Sequence, residues 1–248
     1  MKAFILAAGL GTRLKPWTLS HPKALVPVGD KPMLLRVIEN LQNQGFDEIS
    51  LNIHHFGDQI IEFLDRSNLK KIKVSDETDC LLDTGGALLH AGPLLCQDDS
   101  PVLVHNVDIL SNADFRKLIE FHNSTGADIT LLVSDRKSTR KLIFDSEMNL
   151  KGWHNLLTDE YRPAGIRPAP DDVELAFSGI YVISPELIAE MPSDGFSGKF
   201  SVIDYFLFQA GKRKLKGCRV PDLKLIDIGK PETLSQARLS YKDIIPDC

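Results

Sequence analysis

The sequence predicts an α/β fold: a doubly wound, mostly parallel sheet of Rossmann-like type, followed by a less regular second half. Three observations carry this reading. Short, wholly apolar runs such as residues 3–7 and 102–104 read as strands covered on both faces. Between such runs lie longer segments whose apolar residues recur at helical spacing. The two patterns alternate as far as residue 135, and strands joined through helices favour parallel order.

The first strand, residues 3–7, stops at Gly9, and a loop runs on to Lys31. Beyond Pro32, Leu34, Leu35, Val37, Ile38 and Leu41 mark a helix that ends at Gly45, and residues 49–53 form the next strand. Helices at 58–64, 87–95 and 115–122 then alternate with strands at 72–74, 102–104 and 129–133. Right-handed crossovers in such an arrangement collect functional groups beyond the carboxyl ends of the strands. Past residue 135 the pattern weakens. Residues 141–144 and 150–153 read as short strands, and Pro163, Pro168 and Pro170 make 161–172 a solvent-facing excursion. A strand at 175–183, helices at 185–190 and 202–210, short strands near Arg219 and Leu225, and a closing helix at 231–241 follow. No internal repeat or flexible linker interrupts the chain, so residues 1–248 are expected to form one domain.

Composition narrows the function. Of 248 residues, 43% are hydrophobic and 25% charged, which excludes an intrinsically disordered chain. Lys and Arg number 29 against 34 Asp and Glu, a net charge of −5 that offers no global attraction to nucleic acid or anionic lipid. Phosphate chemistry must then come from a local cluster of cations. No stretch approaches the roughly 20 apolar residues of a membrane helix, and the apolar start leads into Arg13 and Lys15 without a cleavage site, so a cytoplasmic location is expected. Cys80, Cys96, Cys218 and Cys248 lack C-x-x-C spacing and read as free thiols. His54 and His55 are adjacent, so on a strand they point to opposite faces, a poor geometry for joint metal ligation.

The richest stretch is 6–16, immediately after the first strand. The small residues Ala8, Gly9 and Gly11, with Thr12, let backbone N–H groups approach an anion, and Arg13 adds a planar set of charged donors. A tight turn with an exposed Arg is the plainer alternative. Two familiar phosphate loops are excluded by counting: no Lys-Ser or Lys-Thr follows Gly11, and Leu14 stands where the dinucleotide pattern needs a small residue. Lys23 lies between Pro22 and Pro27, whose restricted backbone lowers the entropy cost of holding an ammonium beside a phosphate.

Asp108 follows the strand at 102–104 and should reach the sheet edge that carries the glycine loop. A carboxylate there suits Mg²⁺, which prefers oxygen ligands and substrate phosphates. Ser111 and Asn112 are better placed than Asp108 to cap the helix near Phe115. Asp227 has a similar setting, and two strand-end carboxylates can share one cation if the fold brings them together. Asp83-Thr84-Gly85-Gly86 leads into a helix, where exposed backbone groups would read a planar nucleobase or form a plain turn. In Ser178-Gly179 the glycine admits a polar ligand or marks a bulge.

In this order, the segments at 6–13, 22–28, 83–86, 106–108, 177–180 and 227–232 resemble the sugar-1-phosphate nucleotidylyltransferases, closest to the short N-acetylmuramate-1-phosphate uridylyltransferases. The resemblance covers nearly the whole chain. It implies a nucleotide-binding part over about 1–135 and a sugar-phosphate-binding part with a closing helix over about 136–248. In that reading Ala8, Gly9, Gly11, Thr12 and Arg13 cradle the triphosphate with Lys23, while Thr84, Gly85, Gly86 and Asn106 border the nucleotide. Asp108 and Asp227 hold Mg²⁺, and Asp83, Ser178, Gly179 and Lys199 border the sugar phosphate.

The implied reaction is attack by a sugar-1-phosphate oxygen on the α-phosphorus of a nucleoside triphosphate, which releases pyrophosphate. Arg13, Lys23, Asp108 and Asp227 are its catalytic groups. UTP with an N-acetylmuramate-type sugar phosphate is the leading pair, and GTP with mannose- or heptose-1-phosphate is the alternative. A sugar-nucleotide sensor without turnover is the alternative of another class. A monomer or small homo-oligomer is expected, with no nucleic-acid or membrane partner.

Three departures from the family pattern stand out. Val107 replaces a common Gly, Asp83 replaces a common Glu, and the Glu-Lys-Pro motif of longer relatives is missing. Arg140, Lys141 and Lys199 are the candidates for the lost lysine, with Lys199 favoured.

Overall fold

The computed structural model describes residues 1–67, 69 and 72–245, so Cys248 lies outside the described residues. The chain opens with β1 (Lys2–Leu6), then a long loop that carries the small ribbon β2 (Pro27–Val28) and β3 (Lys31–Pro32). Next come α1 (Met33–Asn43), β4 (Glu48–Ile53), α2 (Gly57–Arg66), β5 (Ile72–Asp76), α3 (Asp83–His90), α4 (Gly92–Leu95) and β6 (Val102–Asn106). The middle holds β7 (Ile109–Ser111), α5 (Phe115–Thr125), β8 (Ile129–Ser134), β9 (Arg140–Phe144), β10 (Leu150–Asn155), β11 (Glu160–Arg162) and β12 (Val173–Ile183). It closes with α6 (Pro185–Glu190), α7 (Val202–Gln209), β13 (Leu215–Arg219), β14 (Leu225–Asp227) and α8 (Pro231–Ile244).

The central sheet has the order β5-β4-β1-β6-β12-β8-β13. Within it β12 alone runs against its neighbours β6 and β8, and the other pairings are parallel. β12 is also a branch point: its first residues pair with β9, which continues through β10 to β11 as an antiparallel extension. The weaker periodicity past residue 135 reflects this extension. The sheet order turns around at β1, whose two neighbours β4 and β6 carry the chain in opposite directions. Ligand crevices form outside the carboxyl ends of strands at such a point.

Alternation along each strand divides the core between the two faces of the sheet. Ala3, Ile5, Leu103 and Val182 join one apolar cluster with α1, α2, α5 and α8. Phe4, Val102, Val104 and Tyr181 join the other with α3, α4, α6 and α7. Burial on both faces is why these strands read as continuous apolar runs.

Local chemistry explains the element ends. At the end of α1, Phe46 N–H donates to Leu41 O at 3.0 Å and Gly45 N–H to Gln42 O at 2.9 Å. With Gly45 at φ +88°, this is a Schellman stop that a side chain would strain. The single helix expected at 87–95 is two helices, because Pro93 cannot donate to the preceding turn and so starts α4. The cap of α5 is Asp114, whose carboxylate accepts from Lys117 N–H at 3.0 Å, and not Ser111 or Asn112. Asn112 instead ties to Lys224 N–H and Asp222 O, and it is Asp114, not the expected pair, that spares Asp108 from capping. His54 and His55 lie just past β4 and not on it. Cys80, Cys96 and Cys218 are free thiols, and among the described residues no helix is long and apolar enough to cross a membrane.

Two buried histidines make stability depend on pH. Burial pushes His105 on β6 and His122 on α5 down to about 4 from an ordinary 6.5. The unfolded chain takes up these protons near pH 6.5 while the native chain refuses them until about 4, so their contribution is full above 6.5 and lost as pH falls. Between pH 7 and 5 the two groups together should cost on the order of 3 kcal/mol. Urea titrations at both values check this, and an unchanged midpoint would show that neither ring is held neutral.

Candidate active site

The site is built where parallel strands end. Leu6 of β1 stands opposite Asn106 of β6, so the loops that leave the two strands emerge side by side. A cleft of about 440 Å³ opens between them. Ala8, Gly9, Gly11, Thr12, Arg13 and Lys23 line it from the first loop. Asp83 and Thr84 line it from the start of α3, Asn106 and Asp108 from the end of β6, and Lys199 from the loop before α7.

Each glycine of the first loop has its own reason. A β-carbon on Gly9 would meet nothing within 4 Å, so that position faces open cleft. Gly11 has φ +61°, and a β-carbon there would stand 2.8 Å from Lys23 Cβ and 2.9 Å from Thr18 Cγ2. Its bareness lets residues 18–25 pack onto the loop, where the Thr18 hydroxyl donates to Gly11 O at 3.0 Å. A 3₁₀ turn over Lys23–Leu25, anchored by buried Ala24, then presents Lys23 to Asp108 as an ion pair. A second 3₁₀ turn, Thr12–Leu14, is anchored by buried Leu14 and turns Arg13 toward Gly229.

Asp108 and Asp227 do meet. β14 pairs antiparallel with β7, Asp227 opposite Ile109, and Ile228 N–H donates to Asp108 O at 2.9 Å. This two-stranded ribbon carries Asp227 to the end of β6. A β-carbon on Gly229 would stand 2.8 Å from a terminal nitrogen of Arg13, 2.8 Å from Asp227 Oδ1 and 3.4 Å from Asp108 Oδ2. One empty position is thus ringed by two carboxylates and a guanidinium. Gly229 N–H donates to Asp227 Oδ1 at 2.8 Å and fixes that rotamer.

Several expected roles change. The Ala8 amide is engaged, because Asn52 Oδ1 accepts from Ala7 N–H at 2.6 Å and Ala8 N–H at 3.2 Å. Gly85 and Gly86 are buried, and both amides donate to Phe200 O, at 2.9 and 3.3 Å, so they are not exposed donors for a base. A β-carbon on Gly85 would lie 2.3 Å from the Phe200 ring, and one on Gly86 2.1 Å from Gly198 O. Their role is close packing. With Thr84 Oγ1 accepting from Val202 N–H at 3.0 Å, they seat the loop that brings Lys199 to the cleft.

On the sugar side, Ser178 is 1% exposed and its hydroxyl accepts from Ile180 N–H at 3.2 Å, so it does not face the cleft as expected. Gly179, at φ +78°, marks a bulge where β12 slips register against β8. A β-carbon there would stand 2.7 Å from Asn106 Nδ2, so the glycine also admits that side chain. Val107 borders the cleft, but its side chain is 3% exposed and packs into the core, and its N–H donates to Leu6 O at 3.1 Å. Of the three candidate phosphate lysines and arginines, Arg140 is exposed at the start of β9, Lys141 donates to Arg136 O at 2.9 Å, and Lys199 lines the cleft.

Three residues escaped the sequence reading. Asn52 Nδ2 donates to Glu77 Oε1 at 2.8 Å, and Leu82 N–H to Glu77 Oε2 at 3.4 Å. Glu77 is 3% exposed, and burial pushes its carboxyl above the ordinary range. Arg136, just past β8, is the third. A polar residue two places from Ser50 on an otherwise apolar strand was the available signal for Asn52; nothing local marked the other two.

Known proteins share this architecture. Residues 2–142 match the family model described as nucleotidyl transferase. Mannose-1-phosphate guanylyltransferase 1 of Arabidopsis thaliana is 39% identical over 137 residues, which are 54% of this chain and 38% of that protein. Mannose-1-phosphate guanyltransferase of Yarrowia lipolytica matches to the same extent, so the matched stretch spans 38% of the length of these relatives. The structure of HddC from Yersinia pseudotuberculosis complexed with GMP-PN superposes with a TM-score of 0.76 at 27% identity over 97% of this chain and 99% of that one. UDP-glucose pyrophosphorylase from Acinetobacter baumannii gives a TM-score of 0.77 at 18% identity over 99% and 94% of the two chains, a likeness of fold. With more than half its length matched by that family model, the chain belongs to the nucleotidyl transferase family.

Proposed function

We propose that this chain transfers a nucleotidyl group from a nucleoside triphosphate to a sugar 1-phosphate, giving an NDP-sugar and pyrophosphate, with GTP and a mannose- or heptose-type 1-phosphate as the pair. The observation that carries the transfer reading is the ring of Arg13, Asp108 and Asp227 around one empty position at Gly229, beside the glycine loop. A binder of sugar nucleotides has less need to gather two carboxylates and two cations at one point.

The nucleotide choice departs from the uridylyl preference drawn from the sequence. It is supported by relatives named as mannose-1-phosphate guanylyltransferases and by the GMP-PN complex of HddC. Glu77 adds a chemical reason. Its buried carboxylate lines the cleft and, among the described residues, has no cation in contact and accepts only from N–H donors. Guanine presents two adjacent donors, N1–H and the 2-amino group, which suit such an acceptor. Uracil presents one donor between two carbonyl acceptors.

Asp108 and Asp227 are oxygen donors around a space that a β-carbon would fill, a set that fits Mg²⁺. Among the described residues no cluster of three or more His, Cys, Asp or Glu is arranged for a metal, so substrate phosphates and water would complete its shell. When bound, the cation would supply positive charge where two phosphate anions must approach. Arg13 and Lys23 neutralise and align the same phosphates. The attacking sugar-phosphate oxygen is already ionised at neutral pH, so no protein nucleophile or general base is required.

The test is pyrophosphate release with Mg²⁺, crossing GTP and UTP with mannose 1-phosphate, a heptose 1-phosphate and N-acetylmuramate 1-phosphate. GTP with one of the first two should win. Glu77→Gln, which replaces an acceptor by a mixed amide, should reduce the preference for GTP over ITP, which lacks the 2-amino group, by about tenfold. Faster turnover with UTP would overturn the guanine assignment; no pyrophosphate from any pair would leave a sensor.

A further inference from the structure

We infer that Arg136 receives the phosphate of the acceptor sugar 1-phosphate, with Lys141 beside it. This rests on the transfer reading above and names a residue that reading lacks. Arg136 follows Ser134, the last residue of β8. Because β12 runs antiparallel to both β6 and β8, those two strands point the same way, and Arg136 leaves the sheet at the end that carries Asn106 and Asp108. One terminal nitrogen donates to Phe177 O at 2.8 Å. Phe177 immediately precedes the Ser178-Gly179 bulge, and Gly179 abuts Asn106 of the cleft.

What the guanidinium lacks is a counter-ion. Its Nε is buried without a partner, and among the described residues no carboxylate is in hydrogen-bond or ion-pair contact with it. Burial pulls Arg136 below its ordinary value, and the charge of Asp227 offsets only part of that. Lys141 is in the same position. Its ammonium donates to the carbonyl of Arg136 at 2.9 Å, makes no ion pair among the described residues, and is pulled down by burial and by the neighbouring guanidinium, which the charges of Asp135 and Glu174 offset only in part.

Two partly buried cations, each resting on a neutral carbonyl, are costly to hold together. A phosphate dianion would relieve both. A guanidinium fork matches phosphate oxygens in pairs, and the lysine adds a second point of charge. Arg136 leaves the sheet at the end that carries Asp108, and the charge of Asp227 acts on it, so this anion locus lies on the side of the carboxylate pair from which an attacking phosphate must come. Lys199, by contrast, is exposed and shares its cleft with the glycine loop, Asp83 and Thr84, which suits the triphosphate.

Steady-state kinetics and calorimetry on the full chain test the inference. Arg136→Met should raise KM for mannose 1-phosphate about tenfold or more, while KM for GTP moves less than about twofold. Arg136→Lys should fall between the two, and Lys141→Met should raise the same KM by a few fold. Calorimetric titration with mannose 1-phosphate should show the same weakening without turnover. An unchanged sugar-phosphate KM in folded Arg136→Met, or an equal rise in both KM values, would overturn the assignment. If Arg136→Met does not fold, Arg136→Lys and Lys141→Met decide it by the same split. Arg136-dependent binding of sugar phosphate without pyrophosphate release would remove the transfer reading and leave the anion site standing.

Discussion

Gly229→Ala is expected to lower kcat at least about a hundredfold with little change in thermal stability. Gly229 does not need a left-handed backbone, so alanine is tolerated by the chain itself. The added carbon has no room, however. It would stand 2.8 Å from both Arg13 and Asp227 Oδ1, closer than real β-carbons come, and 3.4 Å from Asp108 Oδ2. The guanidinium and the Asp227 carboxylate must shift away, and displacements near 1 Å in reacting geometry cost about two orders of magnitude. Pyrophosphate release and a melting curve on the same sample check this. Near-normal turnover would show that the ringed position is not where the phosphates meet.

Asp108→Asn and Asp227→Asn should each lower kcat by at least about a hundredfold, through loss of electrostatic stabilisation where charge develops. The two should differ in detail. Asp108→Asn also releases Lys23 from its ion pair, whereas Asp227→Asn keeps an oxygen to accept from Gly229 N–H. The double variant should be about as slow as either single one, because groups that act as a unit are not additive. Turnover with a Mg²⁺ titration is the measurement. A folded single variant within about threefold of wild type would refute the assignment of that carboxylate to the cation.

The first half of the chain was legible because strands buried on both faces and helices with one apolar face leave different periodicities. Errors fell where elements are short. β2, β3 and β7 have two or three residues each, too few to show any period. Asp114 outranked Ser111 and Asn112 as a cap through position alone, since it directly precedes Phe115. At the site, the glycine loop, Arg13 and Asp108 were readable because they follow an apolar strand at once. Gly85 and Gly86 looked like ligand-facing glycines but are glycines so that the loop around Phe200 can lie against them.

The sequence by itself determined most of the longer strands and helices and which strand ends carry cations and carboxylates, and it pointed to the loop after β1 as the place for a phosphate. Those are local properties, written in spacing and burial along one stretch of chain. Only the tertiary structure decided that β7 and β14 pair and so bring Asp227 to Asp108, that Asn52 joins Glu77 to the glycine loop, and that Arg136 Nε lies buried without a partner. Contacts between distant segments depend on how the whole sheet is ordered, and periodicity records that a face is buried without recording what covers it.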